Sequence, residues 1–254
     1  MSDQPGPAPV TVVVSVDGPY LVTGPVPVDY QVIAQDADGE SWTWKSGEQV
    51  ATGRRFSLCR CGHSRNKPFC DDSHVAAGFD GTETASRTTH AEQAHVYDGP
   101  TMSLADVRGL CVLARFCDGH GDAWGNVEGS STDEARGIAA HETSHCPAGR
   151  LVTTDKSADG AVLEPDLEPG IGIIEDPAAG VSGGLWLRGG IRVTSEDGTA
   201  YPVRNRAVLC RCGASENKPF CDGAHMRTTF TDDRLASYDA TADGTDTVTT
   251  PAIP

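Results

Sequence analysis

The chain has 254 residues and a formal charge of −16, from 20 Lys and Arg against 36 Asp and Glu. Nucleic acid and anionic membrane surfaces are therefore poor partners, whereas a basic protein would be drawn to it. Frequent Gly (29) and Pro (16) with 6% aromatics favour short strands and turns over long helices.

The Pro-rich start, Met1 to Val10, has no basic segment and no apolar centre, so it does not read as a signal peptide. No apolar run reaches the roughly 18 residues that cross a bilayer, and a cytoplasmic location is the expectation. Val10 to Val16, Tyr20 to Val22 and Val28 to Ile33 read as strands. An Asp-Gly turn within Asp36 to Glu40 leads into Ser41 to Lys45. Short helices are expected at Asp71 to Ala77 and Asp222 to Arg227. A longer one is expected at Thr132 to His141, capped by Thr or Asp. Leu185 to Leu187, Gly190 to Thr194 and Tyr201 to Val203 read as strands, with a turn at Asp197-Gly198. The acidic tail after Tyr238 reads as disordered.

Nine cysteines in a chain without an export signal argue against a disulfide framework and for metal. Two segments repeat. Residues 58 to 74 read Leu-Cys-Arg-Cys-Gly-His-Ser-Arg-Asn-Lys-Pro-Phe-Cys-Asp-Asp-Ser-His. Residues 209 to 225 read Leu-Cys-Arg-Cys-Gly-Ala-Ser-Glu-Asn-Lys-Pro-Phe-Cys-Asp-Gly-Ala-His. In both, an aromatic follows (Phe79, Phe230). Upstream, Gly18 to Gly24 echoes Gly184 to Gly190. The pattern is Cys-x-Cys, then a distant Cys and His. Its first pair is too close for a zinc knuckle, where about two to four residues intervene. Two such thiolates suit one iron, and the later Cys and His suit a second, which gives a [2Fe-2S] cluster. Two structural zinc sites are the alternative.

Both segments resemble the CDGSH (NEET) iron–sulfur family. The resemblance implies ligands Cys59, Cys61, Cys70 and His74 in the first site, and Cys210, Cys212, Cys221 and His225 in the second. The name-giving stretch departs at Asp72, where the family has Gly, and at Ala224. Asp72 adds negative charge and is expected to lower the first cluster's potential, or to change its lability, relative to the second. The resemblance further implies a β-cap over each cluster-binding half, with strands exchanged between the halves. Lys67 and Lys218 are either cluster-tuning groups or loop lysines, and Pro68 and Pro219 fix the turn.

Cys111, Cys117 and Cys146 form a third set, and Cys146-Pro147-Ala148-Gly149 closes it. This segment resembles single-cluster ferredoxins of the [3Fe-4S] or divergent [4Fe-4S] type. Three thiolates suit [3Fe-4S], and a fourth ligand for [4Fe-4S] would be His120 or His145. Three buried structural cysteines are the alternative. His63, His90 and His95 read as ordinary polar residues.

The expected fold is mostly β with short helices (α+β): two pseudo-symmetric CDGSH units flanking a small ferredoxin-like insert. The expected boundaries are 1–80 and 183–236 for the two [2Fe-2S] units and 104–152 for the insert. Linkers are expected at 81–103 and 153–182, and the tail at 237–254. No Gly-x-Gly-x-x-Gly, P-loop or Gly-x-Ser-x-Gly is present, so a carrier is favoured over an enzyme. The expected role is electron transfer between a reductase and an acceptor. The alternatives are cluster storage or donation to apo iron–sulfur proteins, and redox or pH sensing. A monomer with an internal two-fold is expected.

Overall fold

The computed structural model describes residues 10–241 and 246–251. The expectation for Met1 to Val10 lies outside these residues except for Val10. Strands β1 (Thr11–Val14), β2 (Tyr20–Thr23), β3 (Val28–Gln35), β4 (Ser41–Val50) and β5 (Arg55–Leu58) form the N-terminal part, followed by helix α1 (Ser73–Ala77). Next come α2 (His90–Gln93), β6 (His95–Asp98), β7 (Met102–Asp106), α3 (Ala123–Glu128), α4 (Asp133–His145), β8 (Leu151–Asp155) and β9 (Ala161–Leu163). The last part holds β10 (Gly170–Asp176), β11 (Val181–Arg188), β12 (Arg192–Ser195), β13 (Arg206–Leu209) and α5 (Ala224–Arg227). Strands dominate and the helices are few and short, as the composition implied. Among the described residues no helix is long and apolar enough to cross a membrane.

Two sheets share one wiring. The first runs β12-β1-β2-β5, and the second β3-β10-β11-β13 with β4 added beyond β3. In each, the strand before the cysteine loop (β5 or β13) pairs antiparallel with β2 or β11. Each sheet also takes a parallel strand from the other end of the chain: β12 beside β1, and β3 beside β10. Val12, Val14, Tyr20 and Val22 of the first sheet pack against Ile171, Ile173, Leu185 and Leu187 of the second. The first sheet alternates buried with open positions, as a one-sided sheet should. The second is covered on both faces, because Ile33, Trp44, Ile174, Trp186 and Val208 meet the loop from Val112 to Phe116.

That two-sided burial corrects the expectation of a linker over 153–182. All seven residues of β10 are buried, and a strand buried on both faces reads as a continuous apolar run rather than an alternation. The 81–103 stretch likewise holds α2 and β6, with a Thr89–Glu92 capping box at the start of α2. The middle region is a meander, β6-β7-β8-β9, with α3 and α4 packed on it around Met102, Leu104, Val127 and Leu151. Thr132 caps α4, accepting from the Ala135 amide at 3.2 Å. Tyr201 to Val203 is not a strand, although the Tyr201 amide bonds Val193 O at 3.0 Å.

The described part of the tail is ordered on the second sheet. The backbones of Lys45 and Asp246 form an isolated antiparallel β-bridge, the Thr247 hydroxyl donates to Gln31 Oε1 at 2.9 Å, and Val248 is buried. Acidic composition suggested disorder there, but Asp246 finds His145 and the Trp44 amide. Residues 242–245 and 252–254 lie outside the described part.

The upstream echo is displaced by one residue. Tyr20 pairs with Leu58, and Leu185 pairs with Leu209, its counterpart in the repeat. Tyr20 therefore corresponds to Leu185, not to Trp186, and a one-residue slip changes the face of every side chain.

Candidate metal centres

The two cysteine loops are built by the same hydrogen bonds. Each leaves its strand through an amide bond from the first cysteine to the proline carbonyl, Cys59 to Pro68 at 2.8 Å and Cys210 to Pro219 at 2.9 Å. Ser64 and Ser215 fold the loop back, each hydroxyl donating to the Phe carbonyl ahead of the third cysteine (2.6 and 2.7 Å). Lys67 Nζ donates to Ser64 O and Lys218 Nζ to Ser215 O, at 2.6 and 2.8 Å. The lysines thus staple their own loops, and both X-Pro bonds between Lys and Pro are cis. Asp71 and Asp222 each receive two loop amides, at 2.9–3.1 Å, which fixes the entry to α1 and α5.

These bonds bring the expected ligand atoms together in pairs. Cys59 Sγ lies 3.9 Å from Cys61 Sγ, and Cys70 Sγ lies 3.5 Å from His74 Nδ1. In the second loop the distances are 3.7 Å for Cys210–Cys212 and 3.4 Å for Cys221–His225. The two pairs of one loop do not merge: among the described residues, no three of the four ligand atoms lie within 4.8 Å of one another. One tetrahedral zinc with Zn–S near 2.3 Å would hold all its thiolates about 3.8 Å apart. Backbone amides also point at sulfur, from His63 to Cys61, Asp72 to Cys70 and Gly223 to Cys221, at 3.4–3.5 Å.

Cys61, Cys70 and Cys221 are hard to ionise by themselves. Burial pushes Cys61 up to about 11 and raises Cys70 and Cys221; neighbouring thiolates add to each. A positively charged core would remove that cost, since metal ligands bind as thiolates.

The loops touch. A Cβ on Gly62 would sit 2.7 Å from Cys212 O, and one on Gly213 within contact of Cys61 O. Both glycines have φ near +80° (82 and 81). Tyr20, from the first half, donates its hydroxyl to Cys210 O and Pro219 O at 2.7 and 2.9 Å. Lys67 lies 5.9 Å from the Phe230 ring, and Lys218 lies 6.0 Å from Phe79.

They differ in exposure. His225 and Cys221 are 5% and 2% exposed, whereas His74 and Cys70 are half-buried. The cover over the second loop is Leu113, whose Cδ1 lies 2.8 Å from a Cβ placed on Gly223. Gly223 is thus required, with φ at 82°. Nothing covers the equivalent Asp72, which is exposed and tolerates φ of 65° as the cap of α1. Burial, with Arg211 and Arg115 nearby, pushes His225 down to about 4.

Cys111, Cys117 and Cys146 line one cavity with Leu113, Phe116, Pro147 and Arg150. Leu113 and Arg115 have left-handed φ of 58° and 64°. Among the described residues the amides from Val112 to Cys117 have no protein acceptor, and turned backbone of this kind gathers N–H groups around an anion. Burial raises the Cys117 thiol, with Cys146 adding to it. Gly149 is forced: φ is 57°, and a Cβ would lie 2.9 Å from Arg206 O.

Neither histidine expected near this set is placed to join it. His145 donates from Nδ1 to His141 O and its Nε2 bonds Asp246 Oδ2, both at 2.7 Å, and His120 meets Asp36 at 2.6 Å; neither lines the cavity. Of the other histidines, His90 bonds Arg150 O at 3.1 Å, and His63 and His95 are exposed.

Sequence reading missed Arg206. It is fully buried and bonds the carbonyls of Thr143, Ser144, Cys146 and Leu151 together with Glu164. Nothing in its local sequence marks it, because its partners come from α4, β8 and the stretch after β9.

Residues 17–75 and 182–226 each match the family model described as iron-binding zinc finger, CDGSH type. No curated protein and no solved structure matches the chain. Two stretches of this chain are therefore similar to the CDGSH type of iron-binding region, which supports an iron–sulfur protein.

Proposed function

We propose that the chain is an electron carrier with one [2Fe-2S] cluster in each CDGSH loop, the two loops forming a pseudo-symmetric pair within one monomer. The supporting observation is the pairwise arrangement of ligand atoms: Cys59 with Cys61, Cys70 with His74, and likewise Cys210 with Cys212, Cys221 with His225. Two ligands per metal suit two irons and fit one zinc poorly. A bound [2Fe-2S] core supplies one-electron chemistry. The protein's part is to hold three thiolates and an imidazole, to aim amides at sulfur, and to exclude water from the second site.

The middle set extends the proposal to a third, cuboidal cluster, [3Fe-4S] or [4Fe-4S], held by Cys111, Cys117 and Cys146. The cavity they share and the free amides from Val112 to Cys117 support it. The acidic charge favours basic redox partners, a reductase and an acceptor. The exposure of His74 and Cys70 favours a second reading, donation of the first cluster to an apo iron–sulfur protein.

Electron paramagnetic resonance before and after dithionite tests this. The outer clusters should be silent when oxidised and visible when reduced. A protein silent in both states would refute the reading. Incubation with an apo-ferredoxin separates carriage from donation: retained clusters support carriage, and transferred ones support donation.

A further inference from the structure

The two loops differ in the buried charge around one arginine. Arg60 and Arg211 hold the same place in the repeat, between the first two cysteines, and each is 2% exposed. Arg60 Nη1 donates to Ser15 O at 3.1 Å and Arg211 Nη2 to Ile174 O at 3.0 Å. Each guanidinium lies near the aromatic after its loop, 5.4 Å from Phe79 or 5.3 Å from Phe230. Superposed on these contacts, Val16 stands where the second half has Glu175, and Gly81 where it has Asp232.

Arg211 is therefore neutralised. It pairs with Glu175 at 2.6 Å and with Asp232, and both carboxylates are buried with it. Arg60 has only carbonyls, from Ser15 and Gly81, and the rings of Tyr20 and Phe79. Its Nε has no partner, and it forms no ion pair among the described residues. Two acids close to its loop are exposed: Asp17, which accepts the Gly81 amide at 2.8 Å, and Asp80.

Resting on the [2Fe-2S] reading above, we infer that the unneutralised Arg60 gives the first cluster the higher reduction potential. A single electron on the chain then resides at the first, more exposed site. Reduction adds one negative charge, and a fixed cation in the protein interior, carried by the residue between the first two ligands, favours that step. Asp72 opposes it, which was the expectation from sequence. Its carboxylate lies 3.9 Å from Cys70 Sγ but is exposed, and in water a charge acts about fourfold more weakly than at the effective dielectric near 20 typical of protein sites. On this inference the buried Arg60 outweighs it. Solvent exposure of the first site acts in the same sense as Arg60, so the charge has to be tested by substitution.

The test is a potentiometric titration of the whole reconstituted protein at pH 8, followed by electron paramagnetic resonance. His74→Cys identifies the first cluster by moving one signal. The first cluster should be occupied at least tenfold in preference to the second, about 59 mV for a one-electron couple. Glu175→Gln with Asp232→Asn should raise the second cluster's midpoint and narrow the gap, leaving the first in place. Arg60→Met should lower the first alone. Two clusters that titrate together, a second site that is reduced first, or a gap unchanged in the double variant would overturn the inference. Protein without inorganic sulfide would instead overturn the cluster reading beneath it.

Discussion

Replacing Arg206 with methionine should separate the middle unit from the second CDGSH half. The guanidinium spans them. Nη1 donates to Thr143 O, Ser144 O and Cys146 O at 2.6, 3.1 and 2.7 Å, and Nη2 to Leu151 O at 3.2 Å. Nε and Nη2 grip Glu164 at 2.9 and 2.6 Å. Each hydrogen bond to a charged donor is worth about 1.5–3 kcal/mol, but these share donors, and Cys146 is only half-buried. Glu164 is 27% exposed at its side chain and can turn to solvent. A total of about 3–5 kcal/mol follows, the range for breaking a buried ion pair, against a whole stability of about 5–15 kcal/mol. Anaerobic urea unfolding, followed by tryptophan fluorescence and visible absorbance, measures it. Arg234→Ala is the control, because its pair with Glu48 is exposed and should cost about 0.5 kcal/mol or less. An Arg206→Met loss below about 1 kcal/mol would refute the account of how the two units are joined.

Other substitutions probe the loops. Gly213→Ala combines φ of 81° with a collision at Cys61 O, so it should abolish iron binding at both outer sites, as read by iron content. Tyr20→Phe removes the donor to Cys210 O and Pro219 O. It should cost about 1–3 kcal/mol in thermal or urea unfolding. His74→Cys and His225→Cys should each slow the loss of visible absorbance in mild acid, since protonation competes with imidazole ligation. Unchanged decay in both would contradict His ligation. His141 gives a pH effect of its own: burial and His145 push it down to about 4. The unfolded chain binds a proton near 6.5 that the folded chain refuses, so stability falls as pH drops from about 6.5 to 4, by up to about 3 kcal/mol. His141→Asn should flatten that slope, and an unaltered slope would show that other groups set it.

The ligand loops were legible because their chemistry is local. Cysteine, histidine, the Lys-Pro pair and the left-handed glycines lie within one short segment, and the same letters produced the same bonds twice. Three of the four short strands of the first sheet, β1, β2 and β12, were legible because one of its faces is open; β5 was not. β10 was not, because burial on both faces erases the alternation that marks a strand. Docking of the tail was hidden for another reason: Asp246 reads as one more acid until His145 is placed beside it. Arg60 and Arg211 are the same letter at the same position. What distinguishes them, Glu175 and Asp232 against Val16 and Gly81, is spread over distant strands and loops. The register of Tyr20 against Leu185 likewise needed the pairing with β5 and β13.

The central claim is that each outer loop encloses iron bridged by inorganic sulfide. Its most direct measurement is metal and acid-labile sulfide analysis of anaerobically purified protein in which Cys111, Cys117 and Cys146 are replaced by serine. Iron and sulfide in equal amount, lost together from one loop on Cys70→Ser and from the other on Cys221→Ser, is the result the structure leads us to expect. Zinc in place of iron, or iron without sulfide, would contradict it.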